Sequence, residues 1–399
     1  MSIPKKILFV SARLPYPAIE GHQIRALGIL KQLSKNFDIH LLSLLREGEF
    51  IDRSNNLGEL CKSIKGVEME FGASSAFRAG VNAILKNQPL VVTKYVTARL
   101  RRIFILQVEE IKPDIIHLDL LPLAGLLDLI PKGVTVVINE HNLESDLIRQ
   151  KLKTLNSFLL KHIYQREYRT LAKFEASVCQ RADLVLACSE RDVEGLREIG
   201  ANNVHCIPNG VDAKRLQPNN SNKLKKTLVF LGGMGWYPNR LGIIWFLDKV
   251  FPLILIRDPD ITLQIIGNPE PVITIPETVS ENVERLGFVD DFVPYVQQAT
   301  LMIVPLNVGS GTRLKVVEGL ALGKCMVSTN KGAEGVGLTH GEDVLFADTP
   351  EQFSTEVLGA VNSMEKVSLI EKNARKLADN IYDWDVIGEK LFVIYKELI

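Results

Sequence analysis

A glycine-rich turn in the second half of the chain has the residue types best suited to do chemistry. It reads Gly-Ser-Gly-Thr at residues 309–312, follows the apolar run 301–306 and precedes a helical pattern. Backbone N–H groups at the N-terminus of a helix bind anions, because the helix dipole leaves partial positive charge there. Arg313 and Lys315 add two positive charges, and Glu318 follows about one and a half turns later. This order of groups predicts a nucleotide-sugar site, with a pyrophosphate at the turn and sugar hydroxyls near the acid.

A structural explanation of the same turn competes with the functional one. Glycines after a strand also serve to permit a tight backbone turn. Lys315 and Glu318 would then form an ordinary surface pair at i, i+3 spacing. Arg313 favours the functional explanation, because a positive charge at a helix N-terminus opposes the macrodipole unless an anion binds beside it.

The elements that must position this turn alternate between short apolar runs and helical patterns along almost the whole chain. Such alternation predicts parallel sheets built from βαβ units, and continuous apolar runs indicate strands buried on both faces. The predicted strands of the first half are Ile7–Ser11, Asp38–Leu44, Asp114–Leu118, Val134–Asn139, Asp183–Ala187 and Asn203–Ile207. Those of the second half are Thr227–Leu231, Ile261–Gly267, Val283–Val289, Leu301–Leu306, Cys325–Thr329 and Asp343–Ala347. The expected fold class is α/β, with two Rossmann-like, doubly wound domains that face a cleft.

The two sets of strands are separated by residues 212–226, which are polar, rich in Asn and predicted to form an interdomain linker. The predicted N-terminal domain therefore covers residues 1–211, and the predicted C-terminal domain covers residues 212–383. Residues 384–399 show a helical apolar pattern, and we expect this helix to pack on one domain, with the first as the candidate. Ligands of open parallel sheets bind beyond the carboxyl ends of the strands, which places the expected site in the cleft.

The composition and charge of the chain argue against a nucleic-acid-binding, secreted or membrane-spanning protein. Lys plus Arg and Asp plus Glu number 47 each, so no overall positive field favours nucleic acid as a partner. The five cysteines are odd in number and show no CxxC spacing, which is typical of reduced thiols in a cytoplasmic protein. The apolar run at Ile7 is too short for a signal peptide, and no stretch reaches the ~18 apolar residues of a membrane span. The sequence therefore predicts a cytoplasmic protein.

Three segments resemble retaining glycosyltransferases of the GT-B fold, in the group 1 (family 4) class. They are Ile-Pro-Asn-Gly-Val-Asp at 207–212, the run 309–323 with its Glu-Gly-Leu-Ala-Leu-Gly tail, and residues 332–346. The likeness covers nearly the whole chain and is strongest after Val204. The resemblance implies transfer of a sugar from a nucleoside diphosphate sugar to a glycan or lipid-linked acceptor, in cell-surface polysaccharide synthesis. It also implies that the first domain holds the acceptor and the second the donor.

The resemblance assigns donor-binding roles to residues of the glycine-rich turn and the helix after it. Glu318 matches the second acid of the family's Glu-x7-Glu motif, which holds the ribose hydroxyls of the donor. The first acid falls at position 310, where this chain has Ser310. Ser310 and the backbone amides of Gly311 and Thr312 are therefore the candidate contacts at the sugar end of the site.

The resemblance also implies diphosphate-binding residues, and here the chain departs from the family. The family supplies an Arg and a Lys after the first strand of the second domain, whereas residues 232–240 of this chain contain no Lys. Arg240 is one candidate substitute, and Arg313 and Lys315 are others. In the first domain Gly21 matches the family's glycine loop near the diphosphate, and Arg25, one turn later, is a candidate to reach the cleft.

Asp119 and His141 are the catalytic candidates. Many relatives carry a His just after the fourth-strand region, where it faces the reacting carbon. In this chain Asp119 occupies that position, because His117 falls within the predicted strand. His141 follows the next strand and is a second candidate, with a structural histidine as the alternative.

The remaining expectations concern cofactors, partners and competing functions. The resemblance implies no organic cofactor, and the absence of zinc-like ligand spacing predicts a metal-independent reaction. Residues 74–110 mix apolar and basic residues, which is compatible with peripheral contact with the inner face of a membrane or with a solvated helical face. Two other functions stay open: a non-catalytic sugar-nucleotide-binding protein, and a GT-B nucleotide-sugar epimerase or hydrolase.

Overall fold

The computed structural model describes residues 4–51, 56–70, 72–219, 224–309 and 313–398. The chain forms two compact units. The first comprises Met1–Pro208 together with Gly388–Ile399, and the second comprises Asn209–Ile387. Each unit contains one sheet in which every pair of neighbouring strands is parallel.

The sheet of the first unit has seven strands in the order β3-β2-β1-β4-β5-β6-β7. Their bounds are Lys6–Ser11 (β1), Asp38–Leu45 (β2), Ser63–Glu68 (β3), Ile115–Asp119 (β4), Thr135–Asn139 (β5), Leu184–Ala187 (β6) and Val204–Cys206 (β7). The strand order reverses direction between β1 and β4, which makes the carboxyl ends of these two strands the topological switch point where such sheets bind ligands.

Helices connect the strands of the first unit. They are Gly21–Leu33 (α1), Asn56–Leu60 (α2), Ala73–Leu85 (α3), Leu90–Tyr95 (α4), Ala98–Ile111 (α5), Glu144–Thr154 (α6), Phe158–Arg181 (α7) and Glu190–Glu198 (α8), with a 3₁₀ segment at Leu121–Leu129. Both faces of β1 are buried, since Ile7, Leu8, Phe9 and Val10 all have no exposed surface.

The second unit repeats the arrangement with six strands in the order β10-β9-β8-β11-β12-β13. Their bounds are Thr227–Leu231 (β8), Thr262–Ile266 (β9), Val283–Gly287 (β10), Leu301–Val304 (β11), Met326–Ser328 (β12) and Leu345–Phe346 (β13). Alternate residues of β8 join different apolar clusters: Leu228 and Phe230 belong to one, and Val229 and Leu231 to another. The sheet therefore has a core on each face, as continuous apolar runs predict.

The helices of the second unit include the one predicted from the glycine-rich turn. They are Tyr237–Trp245 (α9), Phe251–Leu255 (α10), Val293–Gln298 (α11), Leu314–Ala321 (α12), Pro350–Val361 (α13) and Met364–Leu377 (α14). Shorter turns lie at Phe246–Val250, Glu277–Asn282 and Ala378–Tyr382. The last helix, Trp384–Glu397 (α15), begins in the second unit and ends in the first.

The structure confirms every strand predicted from the sequence and adds one, β3. Its sequence, Ser-Ile-Lys-Gly-Val-Glu, lacks an apolar run, and only Ile64 and Val67 of this strand are buried. Because β3 lies at the edge of its sheet and pairs with β2 alone, it needs little apolar surface. A search for continuous apolar runs therefore misses it.

The chain passes from the first unit to the second at Pro208, before the residues predicted to form a linker. Leu216, within the predicted linker 212–226, is buried in the core of the second unit. Over its described part this segment packs as a piece of that unit. Across the described ranges, no helix combines the length and apolarity needed to cross a membrane.

Candidate active site

Helix α12 carries the predicted donor-binding side chains of the second unit. It begins at Leu314, after β11, with Arg313 as its N-cap. Gly309 precedes it with a φ of +105°, and a Cβ there would lie 2.9 Å from the Arg313 guanidinium and 3.0 Å from Pro238. The backbone conformation therefore favours glycine at this position, and a Cβ would also displace the Arg313 guanidinium. Ser310, Gly311 and Thr312, the other predicted contacts of the turn, lie outside the described residues.

Arg313 is a buried cation at the start of α12. Only 4% of it is exposed, and its guanidinium lies 5.1 Å from the centroid of the Trp236 ring. Burial lowers the pKa of Arg313 to about 10, although the negative charge of Glu334 opposes that shift. The guanidinium stays charged near neutral pH, so the site has a fixed positive charge.

Lys315 reaches from α12 to the end of the first strand of the second unit. Its ammonium donates to the backbone carbonyl of Leu231 and, at 2.6 Å, to Oδ1 of Asn239. It also lies 4.7 Å from the centroid of the Phe230 ring. Burial lowers the pKa of Lys315 to about 7, and the charge of Arg313 acts in the same direction.

Glu318 follows Lys315 by one turn on the same helix and is partly buried. Burial raises the pKa of Glu318 to about 7, although the positive charges of Lys315 and Arg215 oppose this shift. Arg215 was not predicted as a site residue. Arg215 lies in residues 212–226, which were predicted to form a linker, and no spacing in the sequence relates this residue to α12.

Arg240 lies on the first turns of α9, where the resemblance suggests a diphosphate contact. Its guanidinium donates to the backbone carbonyl of Met234 at 3.1 Å and lies 6.0 Å from the centroid of the Tyr237 ring. The neighbouring Asn239 is buried and donates to the backbone carbonyl of Gly233 at 3.1 Å. These bonds close the loop between β8 and α9 on itself.

In the first unit the structure brings Asp119 and His141 together at the carboxyl ends of β4 and β5. His141 Nε2 lies 3.0 Å from Asp119 Oδ1, and Asn139 donates to the same oxygen at 2.7 Å. Ser11, at the end of β1, donates to Oδ2 of Asp119 at 3.4 Å. Asp119 is 1% exposed and the His141 ring 10% exposed. The pair lies at the switch point of the sheet, where ligands bind.

The electrostatics of the pair favour an ionised acid that orients the imidazole. Burial opposes ionisation of Asp119, but the charge of His141 and hydrogen bonds from His141 and Asn139 lower its pKa below the ordinary value. An N–H on Nε2 that donates to Asp119 leaves Nδ1 of the ring as the nitrogen that can meet a substrate hydroxyl. The arrangement can hold and orient a proton-accepting imidazole.

Gly21 is exposed and is the first residue of α1, so its backbone N–H lies at the N-terminus of that helix. Arg25 does not reach out of the unit, contrary to the expectation from its position one turn later. It is fully buried and donates to Asn139 Oδ1 at 2.8 Å and to the backbone carbonyl of Ile207 at 2.6 Å. Its role in the described structure is to join α1 to the ends of β5 and β7.

Two residues near the Asp119–His141 pair were missed by the sequence reasoning. Burial lowers the pKa of His22, on the first turn of α1, and the charge of Glu20 opposes that shift. His22 also interacts electrostatically with both His141 and Asp119. Arg13 follows β1 and pairs with Glu20 and, at 2.8 Å, with Glu49. Arg13 lies in a loop and His22 at the very start of a helix, where no periodic pattern marks a side chain as functional.

His117 is structural. It is fully buried within β4, stacks on Phe9 with ring centroids 4.2 Å apart, and hydrogen-bonds to the Tyr395 hydroxyl. Burial lowers its pKa to about 3, so its ring stays neutral. In the part of the chain that the structure describes, no group of three His, Cys, Asp or Glu side chains is arranged to hold a metal ion.

Comparisons with known proteins agree with the resemblance seen in the sequence. Residues 20–215 match the family model described as Glycosyltransferase Family 4, and residues 225–363 match the one described as Glycosyl transferases group 1. An uncharacterized 44.6 kDa protein in the cps region of Klebsiella pneumoniae is 24% identical, over 97% of this chain and 99% of that protein.

Solved structures share the fold across both units. Sucrose-phosphate synthase from Thermosynechococcus elongatus superposes with a TM-score of 0.71 at 15% identity, over 99% of each chain. HepE from Anabaena, in complex with UDP, superposes with a TM-score of 0.70 at 15% identity, over 98% of this chain and 100% of that one. Each unit is thus a Rossmann-like domain, and the fold class is that of GT-B glycosyltransferases. The chain belongs to the group 1, family 4 class of glycosyltransferases.

Proposed function

We propose that this glycosyltransferase moves a hexose, with retention of configuration, from a nucleoside diphosphate sugar to a glycan or lipid-linked acceptor in cell-surface polysaccharide synthesis. The observation that carries the proposal is the set of Arg313, Lys315 and Glu318 on α12. A buried cation, a partly buried cation and a partly buried acid lie within two turns of this helix. They suit a ligand with two phosphates and vicinal hydroxyls.

We propose that Lys315 takes the place of the lysine that the family carries after the first strand of its second domain. Its ammonium binds Leu231, at the end of β8, and Asn239, next to the region where that lysine is expected. The positive charge would then come from α12 instead of α9. Arg313 adds a second charge at the helix N-terminus, where an oxyanion is stabilised as the donor bond breaks.

In the proposed reaction the acceptor hydroxyl oxygen attacks the anomeric carbon and the bond from that carbon to the diphosphate oxygen breaks. The diphosphate leaves with the pair of electrons and receives the acceptor's proton. Arg313 and Lys315 would neutralise the departing charge, and no metal ion or organic cofactor would be needed. We propose that Asp119 and His141 are the residues of the first unit that contact the reacting groups. Asp119 orients the His141 imidazole.

The similar proteins support the choice of UDP-sugars as donors and the proposed role in polysaccharide synthesis. HepE, which shares this fold, has been crystallised with UDP and with UDP-glucose, which makes UDP-sugars the first donors to test. The Klebsiella relative lies in a cps region, which supports a role in polysaccharide synthesis. The cytoplasm is the proposed location, and all five cysteines fall within the described ranges and none forms a disulfide there.

The test is the release of UDP from a set of UDP-sugars by the purified protein, with binding of UDP measured in parallel. We expect Glu318→Ala to weaken UDP binding roughly tenfold or more, because a charge-assisted hydrogen bond contributes about 1.5–3 kcal/mol. Glu365→Ala is the matched control, since it removes an exposed acid from α14 of the same unit. Release that is unchanged by EDTA is expected if the two cations replace a metal.

Three outcomes decide between the proposal and its alternatives. UDP binding without release of UDP from any donor would favour a non-catalytic sugar-nucleotide-binding protein. Release of UDP together with an epimerised or free sugar, and no transfer to any acceptor, would favour an epimerase or hydrolase. A Glu318→Ala variant with the affinity of the wild type would refute the ribose assignment.

A further inference from the structure

Helix α3 in the first unit turns its large apolar side chains toward solvent. Phe77 and Leu85 are 73% and 77% exposed. The exposed apolar residues of this helix recur at i, i+4, i+7 and i+8 and so share one face: Phe77, Val81, Ile84 and Leu85. On the opposite face the helix buries only the small side chains of Ala79 and Ala83. A helix of a globular protein normally packs its apolar stripe inward, so this face lacks a covering layer in the isolated chain.

Helix α7 exposes apolar side chains in the same way at its N-terminal end. The buried residues of this 24-residue helix all lie between Thr170 and Cys179. Its first two turns instead present exposed apolar residues: Phe158, Leu159, Leu160 and Ile163. Phe158 is 78% exposed. The beginning of α7 therefore contributes almost nothing to the core of its own unit.

Hydrogen bonds from α7 reach the end of α3 and the start of α4. The Arg166 guanidinium donates to the backbone carbonyl of Ala83 in α3 at 2.6 Å, and Glu167 accepts from the backbone N–H of Leu90, the first residue of α4, at 2.8 Å. Ile84 and Leu85 follow Ala83 directly, and Ile163 lies one turn before Arg166. We name the eight exposed apolar residues of α3 and α7 together the α3–α7 surface.

Positive charge predominates around the α3–α7 surface. Residues 71–108 contain six Lys or Arg and no Asp or Glu, and residues 147–166 contain five and again no acid. The whole chain has a net charge of zero, so this concentration of positive charge is local. Glu70 and Glu68, before the first segment, pair with Arg78 and Arg99 and neutralise part of it.

The cationic groups extend into a cavity of about 610 Å³ between α7 and the loop that follows α3. Three of the residues that line it are Arg166, Arg169 and Lys173 of α7. A cavity with this lining, next to an apolar face, has the chemistry of a site for a phosphate headgroup.

An anionic bilayer matches this surface better than a protein does. Cores of protein interfaces are poor in lysine, whereas Lys86 and Lys161 directly follow Leu85 and Leu160 here. A bilayer supplies an apolar layer and a plane of phosphates at the same time. Helices with an apolar face and a rim of Lys and Arg lie in that boundary, with affinity set by apolar area and by anionic lipid.

We propose that the α3–α7 surface docks the protein on an anionic membrane, with the apolar side chains among the acyl chains and the surrounding cations on lipid phosphates. This docking needs no sugar transfer, so it stands apart from the proposed function. It is compatible with a lipid-linked acceptor, which would then be met at the membrane by the unit that carries Asp119 and His141.

The test is co-sedimentation of the full-length protein with vesicles. Vesicles of phosphatidylcholine alone are compared with vesicles in which part of it is replaced by phosphatidylglycerol. We expect binding to the anionic vesicles that weakens as salt is added. The Phe77→Ser, Leu85→Ser double variant and the Phe158→Ser, Leu159→Ser double variant should each bind about tenfold more weakly. A Lys86→Glu, Lys161→Glu variant should lose the dependence on anionic lipid.

The matched control is an Ile256→Ser, Phe288→Ser variant, which removes two apolar side chains of the second unit that are 80% and 75% exposed. This variant should bind vesicles as the wild type does. All variants replace exposed side chains, and an unchanged melting transition of the first unit will show that they are folded.

The proposal is overturned by any of three results. The first is a wild-type protein that does not bind anionic vesicles. The second is apolar variants that bind these vesicles as well as the control variant does. The third is a wild-type oligomer, without vesicle binding, that the Phe77→Ser, Leu85→Ser variant converts to a monomer, because the surface is then a protein interface. None of these results depends on release of UDP, so failure here and failure of the proposed function are separate findings.

Discussion

Lys315 and Glu318 lie one helical turn apart, and each has a pKa of about 7. Burial drives both toward their neutral forms, the lysine downward and the glutamate upward. A diphosphate would favour the charged ammonium, and ribose hydroxyls that donate to Glu318 would favour the carboxylate. Donor binding is therefore expected to shift a proton from the acid to the amine.

This coupling predicts how the affinity for UDP depends on pH. Uptake of a proton by Lys315 makes the affinity fall above pH 7, and release of a proton by Glu318 makes it fall below pH 7, so the affinity is highest near pH 7. It should fall above pH 7 by at most about tenfold per pH unit. Lys315→Met should bind UDP more weakly at pH 7 and show no further loss up to pH 9. Isothermal titration at several pH values measures both effects.

Affinities measured above pH 7 report on Lys315 most directly, because a phosphate group titrates near pH 6 and changes the charge of UDP itself below pH 7. Lys372→Met is the control, since Lys372 is an exposed residue of α14 in the same unit. A wild-type affinity that is constant between pH 7 and pH 9 would show that Lys315 does not contact the diphosphate.

The pairing of Asp119 with His141 illustrates what the sequence can and cannot predict for single residues. Each residue follows a strand, so both were expected at the same sheet edge. Their 3.0 Å contact depends on the register that places Asp119 opposite Asn139. Register and side-chain rotamer are tertiary properties, and the sequence contains no local signal for them. The bond between Lys315 and Asn239 is unpredictable for the same reason.

At the scale of elements, the sequence predicts a strand or helix correctly where the local pattern of apolar residues and glycines determines the secondary structure. Buried parallel strands need continuous apolar runs, and each run that was predicted to be a strand is one. Helix α12 was likewise predicted from the glycine-rich turn that precedes it in the sequence, and the structure contains this helix. Prediction failed at β3, where a polar edge strand is stabilised by pairing with β2. It also failed at Leu216, where an Asn-rich segment packs into a core.

Arg25 shows how a single side chain connects elements. It lies on α1, and its guanidinium binds Asn139 at the end of β5 and the backbone carbonyl of Ile207 beyond β7. Asn139 in turn donates to Asp119. The sequence suggested an outward-reaching cation, because a charged residue is normally exposed. Satisfied hydrogen bonds at both strand ends explain why this one is buried.

Replacement of Arg25 by Met is expected to destabilise the first unit by about 3 kcal/mol, because buried polar partners lose a charged donor. Chemical denaturation of the purified variant measures the change in the free energy of unfolding. Lys31→Met, at an exposed position of the same helix, should change it by less than about 0.5 kcal/mol. Equal stability of the two variants would mean that the buried guanidinium contributes nothing net.

At the scale of the whole molecule, the chain leaves the first unit at Pro208 and re-enters it at Gly388. The returning residues belong to α15 and bury Leu391, Ile394 and Tyr395 in the first unit. The Tyr395 hydroxyl binds His117, in the middle strand of the first sheet. The first unit is therefore completed by the last residues of the chain, whereas the second is a single continuous segment.

This connectivity predicts that damage to the end of α15 affects the two units unequally. Leu391→Ala with Ile394→Ala removes two buried side chains, each of which costs about 2–5 kcal/mol when truncated to Ala. That loss is comparable to the whole stability of a domain, about 5–15 kcal/mol. The first unit should melt at a clearly lower temperature, and the second should keep its melting transition and its UDP binding.

Differential scanning calorimetry with and without UDP separates the two transitions, because UDP should raise only the melting temperature of the unit that binds it. Val393→Ala is the matched control, since Val393 lies between the two buried residues and is 55% exposed. The expectation fails if the double variant lowers both transitions equally. In that case the stability of the second unit also depends on the end of α15, although its own chain segment ends at Ile387.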